Sequence, residues 1–138
     1  MSIIFKNVIL KHYLVEDVNI KLNKEFQKQY ENLEDDIKIK WKIVEDEKNN
    51  VFFFNFEVNI NKNKKNFEKR PYKIVLNSIG VFEIKGFENN ESQYILIAVN
   101  IMIGLIRNYI MNVTGKFPLG EFILPAIDLN EIKKFYLV

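Results

Sequence analysis

The fold is decided by residues 93–112, which read QYILIAVNIMIGLIRNYIMN. The polar residues Gln93, Asn100 and Arg107 recur every seven positions, and with Gly104 they form one narrow stripe on an otherwise apolar helix. A helix on the surface of a soluble domain normally shows the reverse proportion. A sheet can bury one side of such a helix, and the opposite side then needs another chain to cover it. We therefore predict an oligomer.

The composition is that of a single domain, residues 1–138, which folds without disulfides. A chain of this length can bury a sizeable core, and the absence of cysteine excludes disulfides, cysteine-based zinc sites and thiol catalysis. The N-terminal residues lack the features of a signal peptide. The apolar run of residues 94–106 is interrupted by Asn100 and ends at Arg107, whereas a bilayer-spanning helix needs about 20 residues. We expect a soluble, cytoplasmic protein with no membrane insertion.

The charge pattern does not favour nucleic acid as a partner. The formal net charge of +2 arises from eighteen lysines and two arginines, set against eighteen acidic residues that are spread along the chain. Proteins that bind nucleic acid usually rely on arginine and gather positive charge on one face. The densest basic stretch, residues 62–73, is predicted to be a solvated hairpin loop rather than a binding patch.

Four segments have the β-prone composition, or the alternation of apolar and polar residues, that is typical of strands. They are residues 5–22, 37–43, 52–60 and 72–85. A hairpin joins the second and third segments. A longer stretch, residues 23–36, lies between the first and second, and we call it the crossing segment. Gly80 is predicted to mark a bulge or bend in the last strand.

Two helices are predicted to follow the strands. Gly115 can end the long helix in the left-handed conformation. Asp128 and Glu131 resemble a capping box that would start a short final helix, residues 129–136. The order of four strands, a long helix, a loop and a short helix predicts a two-layer α+β fold.

The sequence lacks the groups that most enzymes need. His12 is the only histidine, and the chain has neither a phosphate-binding glycine loop nor a dinucleotide fingerprint. The neighbouring carboxylates at residues 35–36 and 45–47 lie in turn-like segments, where they are usually solvated. We predict no catalytic residue, no metal site, no cofactor and no enzyme activity. Arg107, inside the apolar helix, is either a structural arginine or part of a subunit interface.

Several aromatic side chains fall in segments that are predicted to be irregular. They are Phe26, Tyr30, Phe117 and Phe122. Aromatic residues outside the regular elements suggest a groove that receives apolar material. The alternative is that they close the edges of a small core, and for any single residue both interpretations stand.

Five short motifs, together with the order of the elements, resemble the SecB family of protein-export chaperones over essentially the whole chain. They are Phe26-Gln-Lys-Gln-Tyr30, Gly80-Val-Phe82-Glu-Ile84, Arg107-Asn-Tyr-Ile110, Gly115-Lys-Phe117-Pro118 and Leu124-Pro125-Ala-Ile127-Asp128-Leu129. Each motif is short, so the resemblance depends on their order and spacing.

The resemblance implies a four-stranded antiparallel sheet with one long and one short C-terminal helix, assembled as a dimer of dimers. Members of this family hold unfolded or newly made polypeptides in apolar grooves without ATP. Carried over by position, the implied client-binding residues are Phe26, Tyr30, Trp41, Phe117, Phe122 and Leu124. The long helices of the family pack between sheets, which agrees with the oligomer predicted above. The residues expected at that interface are Tyr94, Ile97, Ile101, Leu105 and Arg107.

Two departures from the family leave the partners open. Export members are acidic and end in a Cys/His zinc-binding tail that engages the SecA motor, whereas this chain has a charge of +2 and no cysteine. Binding to SecA is therefore only one option. A chaperone dedicated to one client, such as an antitoxin, and a non-catalytic adaptor for one folded partner are the alternatives.

Overall fold

The computed structural model describes residues 7–26, 33–126 and 136–137. Its sheet consists of β1 (Val8–Leu22), β2 (Ile37–Asp46), β3 (Val51–Ile60), β4 (Tyr72–Ile84) and the two-residue β5 (Tyr136–Leu137). The one-turn helix α1 (Lys64–Phe67) joins β3 to β4, and the long helix α2 (Glu91–Thr114) follows β4. The pairs β1–β4, β4–β3 and β3–β2 are antiparallel. The predicted α+β fold, a four-stranded antiparallel sheet with a long helix, is confirmed.

The strand order explains why the crossing segment is long. The order is β1-β4-β3-β2-β5, so two strands lie between β1 and β2 although these follow each other in the chain. The chain must therefore pass the end of the sheet between Leu22 and Ile37, and a tight turn cannot span that distance.

One face of the sheet, which we call the inner face, carries α2 and most of the core. The alternation in residues 52–60 places five side chains of β3 on this face, as predicted. All five are buried, and they are Phe52, Phe54, Phe56, Val58 and Ile60. From β2 the inner face receives Ile39, Trp41 and Ile43, while the intervening lysines lie exposed on the opposite, outer face.

β1 keeps its apolar side chains on the inner face through two irregularities. The register with β4 shifts between Leu10 and His12 and again between Val15 and Asp17. Each shift inserts an extra residue, which restores the same face to the apolar residues beyond it. Without these shifts, Tyr13 and Val15 would face the outer side, because only these two have the opposite parity to the other inner-face residues of the strand.

The predicted bulge or bend at Gly80 is wrong. Gly80 pairs in register with Tyr13 on one side and with Phe54 on the other. Its missing side chain instead leaves room for α2, because a Cβ there would overlap Met102 Sδ and lie 2.9 Å from Phe82 Cε1. Glycine at this position allows the helix to approach the sheet closely.

The long helix has the two-sided character that its sequence predicts. Gln93 and Asn100 of the polar stripe are exposed. Nine residues are buried in the core: Tyr94, Ile95, Ala98, Val99, Met102, Ile103, Ile106, Ile110 and Thr114. The helix does not end as predicted, because Gly115 has φ −60° and ψ −18°, which is right-handed.

By length and composition alone, α2 is also the one helix in the described part of the chain that could cross a membrane. Core helices of soluble proteins have the same properties, and 44% of its most apolar window is buried here. The expectation that the protein does not enter a membrane stays a prediction.

Of the two remaining regions, one differs from its prediction and the other is described at only one position of the predicted helix. The basic stretch is not simply a loop, because it contains α1, whose first turn is capped by Asn63 Oδ1 accepting from the Lys65 N–H at 2.9 Å. The predicted final helix, residues 129–136, lies outside the described residues except for Tyr136. That residue is in β5, which pairs parallel with Trp41 and Lys42 of β2.

Candidate functional site

The first end of the crossing segment is anchored to the connection between β3 and β4. The Asn23 backbone N–H donates to the Pro71 carbonyl oxygen at 2.8 Å. The Asn23 side chain donates from Nδ2 to the carbonyl oxygens of Phe67 and Glu68, both at 3.1 Å. Its Oδ1 accepts from the Glu25 N–H at 3.0 Å. One asparagine therefore fixes where the segment leaves β1.

The other end of the crossing segment is anchored to the same connection. The fully buried Asn61 accepts at Oδ1 from the Asp36 N–H at 2.9 Å and donates from Nδ2 to Asp35 Oδ1 at 2.7 Å. Arg70 donates from Nε and Nη2 to the Glu34 carbonyl oxygen, at 3.0 and 2.6 Å. Both ends of the crossing segment are thus held by hydrogen bonds to the connection between β3 and β4.

The described ends of the crossing segment present apolar side chains at the surface. Phe26, a predicted client-binding residue, is half-buried. Tyr30, its predicted companion, lies outside the described residues. Leu33 was not predicted, and 42% of it is exposed. The aromatic pattern does not indicate this leucine, although it lies in the same segment.

A second segment, residues 116–126, follows α2, and we call it the C-terminal segment. The Tyr72 hydroxyl donates to the Gly120 carbonyl oxygen. The Phe122 N–H donates to Thr114 Oγ1 at 2.7 Å, and that hydroxyl donates to the Ile110 carbonyl oxygen at 2.7 Å. Side chains of β4 and α2 therefore hold this segment against the protomer.

Arg107 adds a further anchor from the helix. Its Nε and Nη2 donate to the carbonyl oxygens of Leu124 and Pro125, at 2.8 and 3.2 Å. Two roles were considered for Arg107, and these hydrogen bonds show that it has the structural role. A part in an interface between copies stays a prediction.

The predicted aromatic residues of the C-terminal segment meet around one tyrosine. The rings of Phe117 and Phe122 both lie 6.3 Å from the ring of Tyr72, and Phe122 presents its edge. Phe117 is half-buried, whereas Phe122 and Leu124 are 7% and 1% exposed. Phe122 and Leu124 are therefore core residues of the protomer in this conformation.

Trp41 is also a core residue. It is 3% exposed and stacks on Phe54 and Phe56, with ring centroids 6.4 and 6.0 Å away. At 3% exposure, Trp41 offers a client almost no surface in this conformation. Of the six predicted client-binding residues, the structure places Phe26 and Phe117 at the surface, and the assignment of all six stays a prediction.

The C-terminal segment also carries exposed aliphatic side chains that were not predicted. Leu119 is 40% and Ile123 is 58% exposed. Ile123 lies between two buried residues, which is the alternation of an extended chain. Phe122, Ile123 and Leu124 are all apolar, so the sequence itself does not show which of them faces outward.

Three of the predicted interface residues on α2 are half-buried, namely Ile97, Ile101 and Leu105. Ile97 and Ile101 pack partly against the core. Tyr94 is instead 5% exposed, and its hydroxyl accepts from Asn7 Nδ2 at 3.1 Å. Tyr94 therefore faces the sheet, and the other three residues are better placed to meet another copy.

The outer face of the sheet carries an apolar patch that the sequence reading did not identify. Leu14 pairs with Ile79, Phe53 pairs with Val81, and Val44 pairs with Phe53, so these side chains lie side by side. Leu14 is 57% and Val44 is 50% exposed. Contiguous apolar surface of this kind is characteristic of contacts with other molecules.

The site has few electrostatic features. Burial raises the pKa of Tyr72 above its usual value, which keeps its hydroxyl a hydrogen-bond donor. The ion pair between Lys11 and Glu83, at 3.1 Å, lies on the outer face, away from both segments. Among the described residues, no three His, Cys, Asp or Glu side chains are grouped as a metal site. The chemistry available to the two segments is apolar contact.

No protein-family model matches the sequence, and comparison with curated proteins finds no match. Solved structures do match. The sheet and long helix have the fold of the SecB-like chaperones, so the resemblance noted in the sequence is confirmed at the level of the fold.

The structure that carries this likeness is the SecB-like chaperone Rv1957 of Mycobacterium tuberculosis, in complex with a ChAD peptide from the HigA1 antitoxin. It matches with a TM-score of 0.68 over 90% of this chain and 93% of that chain, at 11% identity. A protein of unknown function from Streptococcus agalactiae matches with a TM-score of 0.53 over 86% and 97% of the two chains, at 12% identity.

Proposed function

We propose that this chain is an ATP-independent chaperone that holds unfolded or newly made polypeptides in apolar grooves in the cytoplasm. One observation carries the proposal: two segments, each anchored by hydrogen bonds to the rest of the protomer, present apolar side chains at the surface. These side chains are Phe26, Leu33, Phe117, Leu119 and Ile123. The likeness in fold to a SecB-like chaperone in complex with a peptide supports it.

The binding energy in this mechanism comes from burial of apolar area, at about 25 cal/mol per Å². Ordering of the client and of the protein reduces that energy. Because Asn23, Asn61 and Arg70 already fix the ends of the crossing segment, the protein has less to order when a client binds. The groove is in this sense partly preorganised.

The proposal includes assembly into a dimer of dimers. Ile97, Ile101 and Leu105 supply an apolar stripe on α2 that a second copy would cover. Several weak grooves on one assembly raise the avidity for a long unfolded chain without any new contact. An oligomer would thus hold a polypeptide that a single groove releases quickly.

Two kinds of client fit this mechanism. In the first, the chain holds precursors for export and delivers them to SecA. In the second, the chain is dedicated to one client such as an antitoxin. The second is favoured by one observation, namely that the similar Mycobacterium tuberculosis chaperone is in complex with an antitoxin peptide. A toxin–antitoxin gene pair next to the gene for this chain would support it.

The test is an aggregation assay with a chemically unfolded client and no nucleotide. The parent protein is expected to suppress light scattering, and a Phe26→Ser, Tyr30→Ser variant is expected to suppress it less. A Leu14→Ser, Val44→Ser variant is the matched control, because it removes two apolar residues from the outer face instead. A parent protein that suppresses nothing ends the proposal, and equal suppression by the Phe26 and Tyr30 variant ends the site assignment.

The same assay separates a chaperone from an adaptor. An adaptor for one folded partner would not suppress aggregation, and it would recover a single folded protein in a pull-down. A chaperone is expected to retain several unfolded clients, or one antitoxin in its unfolded state.

A further inference from the structure

Residues 120–125 of the C-terminal segment are held to the protomer through their backbone. Among the described residues, four hydrogen bonds join this stretch to the sheet and the long helix. The groups on the sheet and the helix are all side chains, those of Tyr72, Arg107 and Thr114. Their partners in the segment are all backbone groups, those of Gly120, Phe122, Leu124 and Pro125. The four bonds therefore do not require any particular side chain in the segment.

The spacing of the two anchors on α2 matches the spacing of an extended chain. Arg107 and Thr114 are seven positions apart, so they lie on the same side of the helix, about 10 Å apart along its axis. Their partners are the Phe122 N–H and the carbonyl oxygens of residues 124 and 125, and three residues of extended chain also span about 10 Å. The two side chains thus bind an extended segment that runs antiparallel to α2.

The side chains of the same stretch alternate between the protomer interior and solvent. Phe122 and Leu124 are buried, whereas Glu121, Ile123 and Pro125 are exposed. This alternation is that of an extended chain with one side buried. The protomer therefore offers two apolar positions, i and i+2, and leaves the position between them in solvent.

The connection of residues 120–125 to the protomer does not include a strand ladder. They form no strand pair with any described residue. Segments without ladder hydrogen bonds open locally at a lower free-energy cost than core strands and helices. When this stretch opens, its hydrogen-bonding partners on β4 and α2 and the space of its two buried side chains become available together. An extended segment of another chain can then make the same contacts.

We propose that an extended client segment with bulky apolar residues at i and i+2 displaces residues 120–125 and binds in their place. We call this place the exchange site, and it consists of Tyr72, Arg107 and Thr114 with the space that Phe122 and Leu124 fill in the free protein. The inference deepens the proposed function and depends on it, because it states which client segments bind and where. A folded partner is a poor occupant, since its buried backbone groups are already paired.

The hydrogen bonds predict the sequence preference of the exchange site. Proline is excluded at position i, because the Thr114 hydroxyl accepts from the N–H of the residue there. Proline is tolerated at i+3, where the chain itself has Pro125 and only the carbonyl oxygen is bound. The residue at i+1 is unrestricted because it faces solvent. Many unfolded sequences therefore fit the site.

The chain's own segment competes with any client for the exchange site. A tethered segment acts at an effective concentration of about 1 mM, so it lowers the apparent affinity for a free peptide. Removal of its buried side chains should therefore strengthen peptide binding, whereas removal of an anchor should weaken it. These opposite effects distinguish the exchange site from a surface on which Phe122 and Leu124 contact the client directly.

The test uses fluorescence anisotropy with the labelled peptide LGEFSLPA, which is residues 119–126 with serine in place of the exposed Ile123. One control peptide, LGEFLSPA, moves the leucine from i+2 to i+1. A second control carries an N-methyl group on its phenylalanine and so lacks the N–H at position i. The parent protein is expected to bind the first peptide about tenfold more tightly than either control. Equal affinity for the three peptides would overturn the proposal.

Variants of the protein test the competition. Phe122→Ser, Leu124→Ser empties the site and is expected to bind the first peptide about tenfold more tightly than the parent protein does. Adding Thr114→Val to this variant is expected to remove the gain. Leu14→Ser, Val44→Ser, on the outer face, is expected to bind as the parent does. Equal or weaker binding by a folded Phe122→Ser, Leu124→Ser variant would overturn the proposal.

A measurement on the parent protein decides the question if that variant does not fold. Hydrogen exchange at the Phe122 amide is expected to become about tenfold faster when the first peptide saturates the protein, because the bond to Thr114 is lost. Unchanged or slower exchange at this amide, with the peptide bound, would overturn the proposal.

The aggregation assay, run on the same preparation, separates this inference from the proposed function. Suppression of aggregation together with unchanged exchange at Phe122 removes the exchange site alone. Absence of suppression removes the chaperone function, whichever peptides bind.

Discussion

The Arg107 Nε donates a hydrogen bond to the Leu124 carbonyl oxygen at 2.8 Å and so ties the long helix to the C-terminal segment. The contact joins residues that are 17 positions apart in the chain. It helps to explain how a charged residue is tolerated in an otherwise apolar helix, because backbone carbonyls accept hydrogen bonds from its Nε and Nη2. It also holds buried Leu124 and Phe122 in place, next to exposed Ile123.

Arg107→Met is expected to loosen the C-terminal segment. Loss of the two hydrogen bonds should lower the free energy of unfolding by about 1–3 kcal/mol. The amide of Phe122 should exchange faster, and an apolar dye should bind more strongly as Phe122 and Leu124 become accessible. Arg107→Lys, which keeps the charge but not the planar fork, should show an intermediate effect. Unchanged exchange at Phe122 in the methionine variant would show that Arg107 does not hold the segment.

Thr114→Val tests the second anchor of the same segment. The change keeps the shape of the fully buried side chain but removes the acceptor of the Phe122 N–H. A buried N–H without a partner costs about 1–3 kcal/mol, so the urea midpoint should fall. Thr114→Ser keeps the hydroxyl and should be less destabilised. If valine proves no worse than serine, the hydrogen bond contributes little to stability.

Gly80 and Gly104 make a matched pair for the packing of α2. Gly80→Ala is expected to lower the free energy of unfolding by about 1–3 kcal/mol, because the new Cβ would overlap Met102. Gly104→Ala has open space around it and lies inside a helix, so it should stabilise by about 0.5–1 kcal/mol. Thermal unfolding of the two variants measures whether each substitution lowers or raises the melting temperature. A neutral Gly80→Ala would mean that the helix does not approach the sheet at this point.

Ionisation of the buried Tyr72 hydroxyl is expected to lower the stability of the fold at alkaline pH. Burial raises its pKa above the usual 10.0, so the folded state favours the protonated hydroxyl. The resulting stability is fully present below about pH 10 and is lost as the pH rises through the raised pKa of the folded state. Melting temperatures measured from neutral pH to above 10.0 should fall less steeply in Tyr72→Phe. An equally steep fall in the variant would assign the effect to other groups.

The sequence predicted the parts of the fold that depend on regular periodicity. The alternation in β2 and β3 and the apolar stripe of α2 identified the inner face of the sheet and the long helix, because a period of 2 or 3.6 is visible in one sequence. The sequence predicted β1 but not its two register shifts. A bulge interrupts the alternation, and no particular residue type marks its position. Gly80 was misread for the related reason that a glycine in a strand fits either a bulge or a close approach.

The candidate site was less predictable because it depends on contacts between distant residues. Phe26 and Phe117 were identified as surface aromatics, but nothing local in the sequence distinguishes Phe117 from the buried Phe122. The difference arises because the Phe122 N–H donates a hydrogen bond to the Thr114 hydroxyl, and because the Tyr72 ring packs against the Phe122 ring. The lysines of β2 were recognised as one face of a strand, whereas their position at the edge of the sheet depends on the strand order.

Native mass spectrometry of the purified chain, alone and with an unfolded client, tests the central claim most directly. The account predicts an oligomer, a dimer of dimers, whose mass increases by that of a bound client when no nucleotide is present. The proposal assigns the assembly contact to Ile97, Ile101 and Leu105, and the client contact to the surface of the crossing and C-terminal segments. A monomer that acquires no client mass would contradict the account.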